Sequence, residues 1–81
     1  VTGVHPTAGL STGDLEEAYI KRALAARAAE TVVLASAAKL NAASQYAIGD
    51  ITLAHTIIVE RATDDALIAP LQQAGVSVLK A

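Results

Sequence analysis

The sequence predicts an α/β fold in which a parallel sheet carries helices on its faces, and three observations lead there. Two short runs, TVVLA at 31–35 and TIIV at 56–59, are β-branched and aliphatic without polar alternation, as suits strands covered on both sides. Two longer stretches, 14–29 and 64–74, carry helix-start and helix-stop residues around apolar and alanine-rich interiors. Strand and helix alternate along the chain, which implies crossover connections and a parallel sheet.

In chain order, Val1 to Val4 reads as the end of a first strand, and HPTAGLSTG, His5 to Gly13, as a loop rich in Gly, Pro, Ser and Thr. Gly3 and Gly9 bracket this loop. Two readings of it stand: glycine permits positive φ and close backbone approach, so that the loop presents amides to an anion, or it is an ordinary strand-to-helix turn. Asp14 opens the first helix as its N-cap, with Glu17 reaching back in a capping box, and the helix runs to Ala29. Glu17 and Lys21 are spaced i,i+4 in the favourable order. Leu15, Tyr19, Ile20, Ala23, Leu24 and Ala26 do not share one narrow stripe, which predicts a helix buried on more than one side.

The central strand, from Thr31, gives way at Ser36 to a loop ending on Lys39. Asn41 fits a left-handed turn, and Ala43 to Ile48 a short extended piece before a turn at Gly49-Asp50. After the strand Thr56 to Val59, Thr63 or Asp64 caps a helix to about Ala74. Alternatively the regular part begins near Ala69, with Pro70 at the first helical position, where its missing amide does no harm. Gly75 supplies the stop, and Val76 to Leu79 the closing strand.

Eighty-one residues allow one small domain, burying about 60–65% of its unfolded surface. Hydrophobic residues make up 53% and only two residues are aromatic, so Ala, Val, Leu and Ile do the packing. This is more apolar than a small globule needs. With Val1 first and no methionine, the chain is expected to be the carboxyl-terminal piece of a longer protein. A net charge of −2, from interspersed acids and bases, excludes a phosphate-backbone footprint. The lack of cysteine excludes disulfides and thiolate metal sites. No apolar run approaches a membrane span and no signal peptide opens the chain, so a soluble cytoplasmic protein is expected.

Ligands of open parallel sheets gather at the carboxyl ends of the strands, which points to Ser36, Ala37, Ala38 and Lys39. Lys39 either supplies a point charge to a phosphate there or is an exposed surface lysine. His5, in the first loop, is placed to donate to the same anion, whereas His55, just before a strand, suits a structural or surface role. The two histidines lack spaced partners, so no metal site is expected. Ser36, His5 and Asp50 could make a nucleophile set, but any small chain offers such a trio, and no nucleophile elbow, phosphate loop or cofactor motif is present.

The segment Gly9 to Asn41, GLSTGDLEEAYIKRALAARAAETVVLASAAKLN, resembles the carboxyl-terminal sensor domain of DeoR-family bacterial transcriptional repressors. Gly9-Leu10-Ser11, Glu17-Ala18, Lys21-Arg22-Ala23, Leu34-Ala35 and Lys39 stand where that family has its glycine-leucine-threonine segment, its EA..KRA helix and a strand ending like LADSSKFG. TIIVE and the final AGVSVLKA are also similar to the family's end. Ser36 departs from the usual aspartate, Ala37 and Ala38 from small polar residues, Leu40-Asn41 from Phe-Gly, and Glu60 from the aspartate that commonly ends the later strand. The resemblance implies a fold similar to ribose-5-phosphate isomerase and glucosamine-6-phosphate deaminase. It implies a phosphorylated sugar or related metabolite as effector. The effector-binding set expected from the residues is Gly3, His5, Gly9, Ser36 and Lys39, with no catalytic residue and no cofactor. Residues 1–81 would be the carboxyl-terminal part of one effector-sensing domain in a homo-oligomer. Operator DNA would be bound by a winged helix-turn-helix domain lying outside these residues. The competing expectation is a fragment of a sugar-phosphate isomerase or deaminase of the same fold, since fold does not fix function.

Overall fold

The structure, a computed structural model, describes residues 1–81 and divides six strands between two sheets rather than gathering them into one. In chain order the elements are β1 (Gly3–His5), β2 (Gly9–Thr12), α1 (Leu15–Arg27), β3 (Val32–Ala35), β4 (Tyr46–Gly49), β5 (Thr56–Val59), α2 (Asp65–Gln73) and β6 (Ser77–Lys80). Short 3₁₀ turns at Ala37–Lys39 and Ile51–Leu53 follow β3 and β4. The parallel sheet has the order β3-β5-β6, with Val33 beside Ile57 and Ile57 beside Val78. The second sheet, β1-β2-β4, is antiparallel. No helix is long and apolar enough to cross a membrane.

The antiparallel sheet corrects the expectation of a loop from His5 to Gly13. Only Pro6 to Ala8 form the turn, which His5 closes by accepting at Nδ1 from the amides of Thr7 and Ala8, both at 3.0 Å. All four residues of β2 are buried, including the polar Ser11 and Thr12. Burial of these hydroxyls is tolerable because each has a partner. Ser11 Oγ accepts from the Ser44 amide at 2.8 Å, and Thr12 Oγ1 from the Asp14 amide at 3.4 Å.

Helix α1 starts where expected, with the Asp14 carboxylate accepting from the Glu17 amide at 3.1 Å. The return half of the capping box is absent, because Glu17 pairs with Lys21 instead. Nor is α1 buried on more than one side. It packs on β2 and β4 through Ala18, and Leu15, Tyr19, Ile20 and Leu24 remain 47–63% exposed. Its other anchor is Arg22, which donates from Nε to the Ile48 carbonyl at 3.0 Å and from Nη2 to the Ala47 carbonyl at 2.6 Å. Arg22 also stacks over the Tyr19 ring, 5.7 Å from its centroid.

Helix α2 covers the parallel sheet by packing on β6, so one helix rather than two lies on that sheet. It runs through Pro70 and does not begin there. Asp64 caps it, accepting from the Ala66 amide at 3.0 Å, while Ile68 and Leu71 are buried. These gains outweigh the donor that Pro70 lacks. The helix ends in a Schellman motif at Gly75, φ +97°. Gly75 N donates to the Gln72 carbonyl at 3.0 Å and Val76 N to the Leu71 carbonyl at 3.2 Å, with Val76 and Leu71 both in the core.

The expectation that β3 is covered on both faces also fails. Val32 and Leu34 are 50% and 73% exposed, and Leu79, in register with Leu34 across the sheet, is 55% exposed. The opposite face holds Ala35, Ile57 and Val59, which join Val4, Leu10 and Ile48 of the antiparallel sheet in one core. The radius of gyration, 11.6 Å, matches the roughly 11.7 Å of a compact chain of this length, so the two sheets make one body.

Candidate functional site

The carboxyl ends of the three parallel strands open into a cleft of about 550 Å³. Ser36 and Lys39 enter from the segment after β3, Glu60 from the residue after β5, and Ala81 from the end of β6, over an apolar wall that includes Leu34 and Ile58. The strands end here for local reasons. After β3 the small residues Ser36, Ala37 and Ala38 permit a 3₁₀ turn, closed by the Lys39 amide donating to the Ser36 carbonyl at 3.0 Å. Asn41 then takes φ 60°, the left-handed position expected of it. After β5, Arg61 N donates to the Ala81 carbonyl and Ala81 N to the Val59 carbonyl, both at 2.9 Å, closing the rim.

Three charged or polar side chains face this cleft in different states. Lys39 is exposed and forms no ion pair, since the chain's two pairs are Lys21 with Glu17 and Lys80 with Asp65. Ser36 is exposed and its hydroxyl is not engaged in capping the turn it precedes. Glu60 accepts at Oε1 from the Ala37 amide at 3.0 Å. Of the resolved pKa shifts one touches the cleft: the amine of Val1, which also lines it, is lowered by burial first and then by the Lys21 and Lys39 charges. Away from the cleft, the hydrogen bond and charge of Lys21 hold Glu17 below the usual carboxylate range, and the same bond raises Lys21.

Of the residues the sequence singled out, the cleft gathers Ser36 and Lys39. Gly3, His5 and Gly9 lie in the β1–β2 hairpin. Both glycines are buried at close backbone approaches. A Cβ on Gly3 would lie 2.5 Å from the Ala42 carbonyl oxygen and 2.5 Å from Ser11 Oγ, and one on Gly9, φ +81°, would overlap the Gly49 carbonyl. The His5 ring is engaged by its own turn. The hairpin nevertheless holds the lysine segment, because Val4 bridges Leu40 and its carbonyl accepts from the Asn41 amide at 2.7 Å. His55 is structural, as expected: Nδ1 accepts from the Thr31 amide at 2.8 Å while its own amide donates to the Thr31 carbonyl at 2.9 Å, pinning the starts of β3 and β5 together.

Glu60, noted in the sequence as a departure from the family's aspartate but left out of the expected effector-binding set, also lines the cleft. The available signal was its position, one residue beyond a buried β-branched strand and therefore at the same sheet edge as Ser36. A second cavity of about 400 Å³ lies between α1 and β3. Its lining is mostly apolar, and its charged groups are Lys21, already paired, and Glu30. The open cleft is thus the better place for a polar or anionic ligand.

Fold and cleft together define a small α/β domain with a mixed-charge recess at the carboxyl ends of its parallel strands. Residues 1–61 match the family model described as the DeoR C terminal sensor domain, and the chain belongs to that family. It is accordingly the sensor part of a DeoR-type transcriptional regulator. Comparison with curated proteins and with solved structures gives no match.

Proposed function

We propose that this domain senses a phosphorylated sugar or a related metabolite for a transcriptional repressor, using the cleft that Ser36 and Lys39 line. The observation that carries this reading is Lys39, an ammonium facing an open recess at the carboxyl ends of parallel strands with no carboxylate pairing it. A compact cation on a flexible stem suits a phosphate, and Ser36 adds a hydroxyl beside it. Gly3, His5 and Gly9 act through the hairpin: they shape β1 and its turn, and β1 fixes Leu40 and Asn41 directly after the lysine. Their part in effector binding is to hold the segment that bears Lys39.

The wider assembly proposed follows the family. The fold is related to ribose-5-phosphate isomerase and glucosamine-6-phosphate deaminase, the sensor works as a homo-oligomer in the cytoplasm, and a winged helix-turn-helix domain outside these residues reads the operator. The net charge of −2 supports leaving DNA to such a domain. Calorimetric titration of a panel of phosphorylated sugars into wild type and Lys39→Ala tests the reading. Loss of one charge-assisted hydrogen bond, about 1.5–3 kcal/mol, weakens binding roughly tenfold to a hundredfold or more. Unchanged affinity would return Lys39 to the surface role.

A further inference from the structure

The cleft holds an acid and a base that do not neutralise each other. Glu60 and Lys39 both line it, yet neither takes part in an ion pair. Glu60 is also not a freely rotating surface acid. Its Oε1 accepts from the Ala37 amide at 3.0 Å, which ties the carboxylate to the same turn that carries Ser36 and Lys39. Oε2 has no hydrogen-bond partner within the chain. An ionised carboxylate only accepts hydrogen bonds, and one oxygen engaged by an amide leaves the other for a donor from outside.

We propose that Glu60 is the specificity-determining residue of the cleft: it accepts hydrogen bonds from ligand hydroxyls while Lys39 takes the phosphate, so the site selects polyhydroxylated phosphates against bare phosphate. This rests on the phosphate reading of Lys39 given above and deepens it. The selection has two physical parts. A carboxylate near the phosphate position repels any anion that brings no donors, so inorganic phosphate is disfavoured by the same group that rewards a sugar. A sugar phosphate offers vicinal hydroxyls a few ångströms from its phosphorus, and one of them meets Oε2. If a site is built to pair with a hydroxyl, the analogue lacking it leaves that group unpaired and is rejected more strongly than a missing methylene would be.

Glu60→Gln separates this role from a structural one. Its amide oxygen can still accept from Ala37 N, while the free side of the group turns from acceptor to donor and its charge disappears. Calorimetry on the full chain would compare pentose and hexose phosphates, glycerol 3-phosphate and inorganic phosphate. In wild type the preferred sugar phosphate binds at least tenfold tighter than inorganic phosphate. In Glu60→Gln that ratio collapses by tenfold or more, with the sugar phosphate weakened and inorganic phosphate unchanged or tighter. Lys39→Ala weakens both together. An unchanged ratio in Glu60→Gln, with sugar phosphates still bound, would overturn the role of Glu60 alone. Absence of any sugar-phosphate binding in wild type would overturn the phosphate reading on which it rests. A second measurement needs no variant: single-deoxy analogues of the preferred sugar phosphate, titrated into wild type, include at least one that binds tenfold more weakly. Equal binding by every deoxy analogue would refute the proposal whether or not the variant folds.

Discussion

Replacing each of four glycines by alanine separates two costs that are usually confounded, because the chain offers every combination of backbone conformation and space. At Gly13 an added Cβ meets nothing within 4 Å and the φ is not left-handed, so alanine is neutral or stabilises by about 0.4–1 kcal/mol through the unfolded chain. At Gly75 the φ of +97° penalises alanine while the space is open, and the strain alone costs about 1–2 kcal/mol. At Gly3 the conformation is permissive but the Cβ collides with the Ala42 carbonyl and Ser11 Oγ. Overpacking of this kind costs about 1–3 kcal/mol, and Ser11 must give up its bond to the Ser44 amide. At Gly9 both costs combine: φ is +81°, the Gly49 carbonyl occupies the Cβ position, and Asp50 Cα lies 3.1 Å away. The sum is about 2–5 kcal/mol, a large share of the roughly 4–12 kcal/mol expected for a chain of this length at about 0.05–0.15 kcal/mol per residue. Urea unfolding followed by circular dichroism should rank the midpoints with Gly13→Ala at or above wild type and Gly9→Ala lowest. A Gly9→Ala variant as stable as Gly75→Ala would refute the reasoning, since the β2–β4 contact would then have room to yield.

Arg22→Ala should destabilise by about 1–2 kcal/mol, below the full value of two charge-assisted bonds because the side chain is exposed. Arg22→Lys should recover less than half of that loss, as an ammonium lacks the two-pronged geometry, and full recovery in urea melts would contradict the clamp. Thr63 is buried with its Oγ1 lacking any hydrogen-bond partner, so Thr63→Val should stabilise by about 1 kcal/mol. A lowered thermal midpoint would show that the hydroxyl is satisfied after all. Glu17 is held below its ordinary pKa of 4.5 by Lys21, so its contribution to stability is present above pH 4.5 and lost as pH falls through the folded value. Glu17→Gln should therefore flatten the acid side of the stability profile, and an identical acid limb in wild type and variant would rule the pair out as its source.

The parallel sheet was legible because its strands announce themselves. Val32 to Ala35 and Thr56 to Val59 are unbroken apolar runs, and Gly75 marks the stop before β6. The antiparallel sheet was not, and the reason lies in β2. GLST shows no alternation of polar and apolar because all four residues are buried, two of them with hydroxyls that find backbone partners only after folding. Turn residues Pro6 to Gly9 between VTGVH and LST were a hairpin signal, hidden by reading the whole stretch as one loop. Periodicity also misjudged α1. A ring of apolar residues implied burial on several sides, whereas the helix is held by one alanine and one arginine. At the site, sheet topology sufficed to locate Ser36 and Lys39. Glu60 stood out in the sequence only as a departure from the family's strand-ending aspartate, and its tie to the lysine turn appeared when the bond to Ala37 joined two segments far apart in sequence.

The order in which the chain visits its sheets has a consequence for cooperativity. Strand β3 belongs to the parallel sheet but lies, in sequence, between β2 and β4, which pair with each other from Leu10 to Gly49. Closing the antiparallel sheet therefore loops out β3 and the lysine segment, while the parallel sheet cannot form until the chain has passed back through β4. Neither sheet is a contiguous stretch that could fold first and wait for the other, and both depend on contacts distant in sequence, the kind that close slowly. The segment from Ser36 to Leu40 is the crossing between them, leaving one sheet at Ala35 and bridging the other at Val4. Partial unfolding of either sheet thus disturbs the cleft, and the ligand affinity proposed for it would report on the integrity of the whole domain.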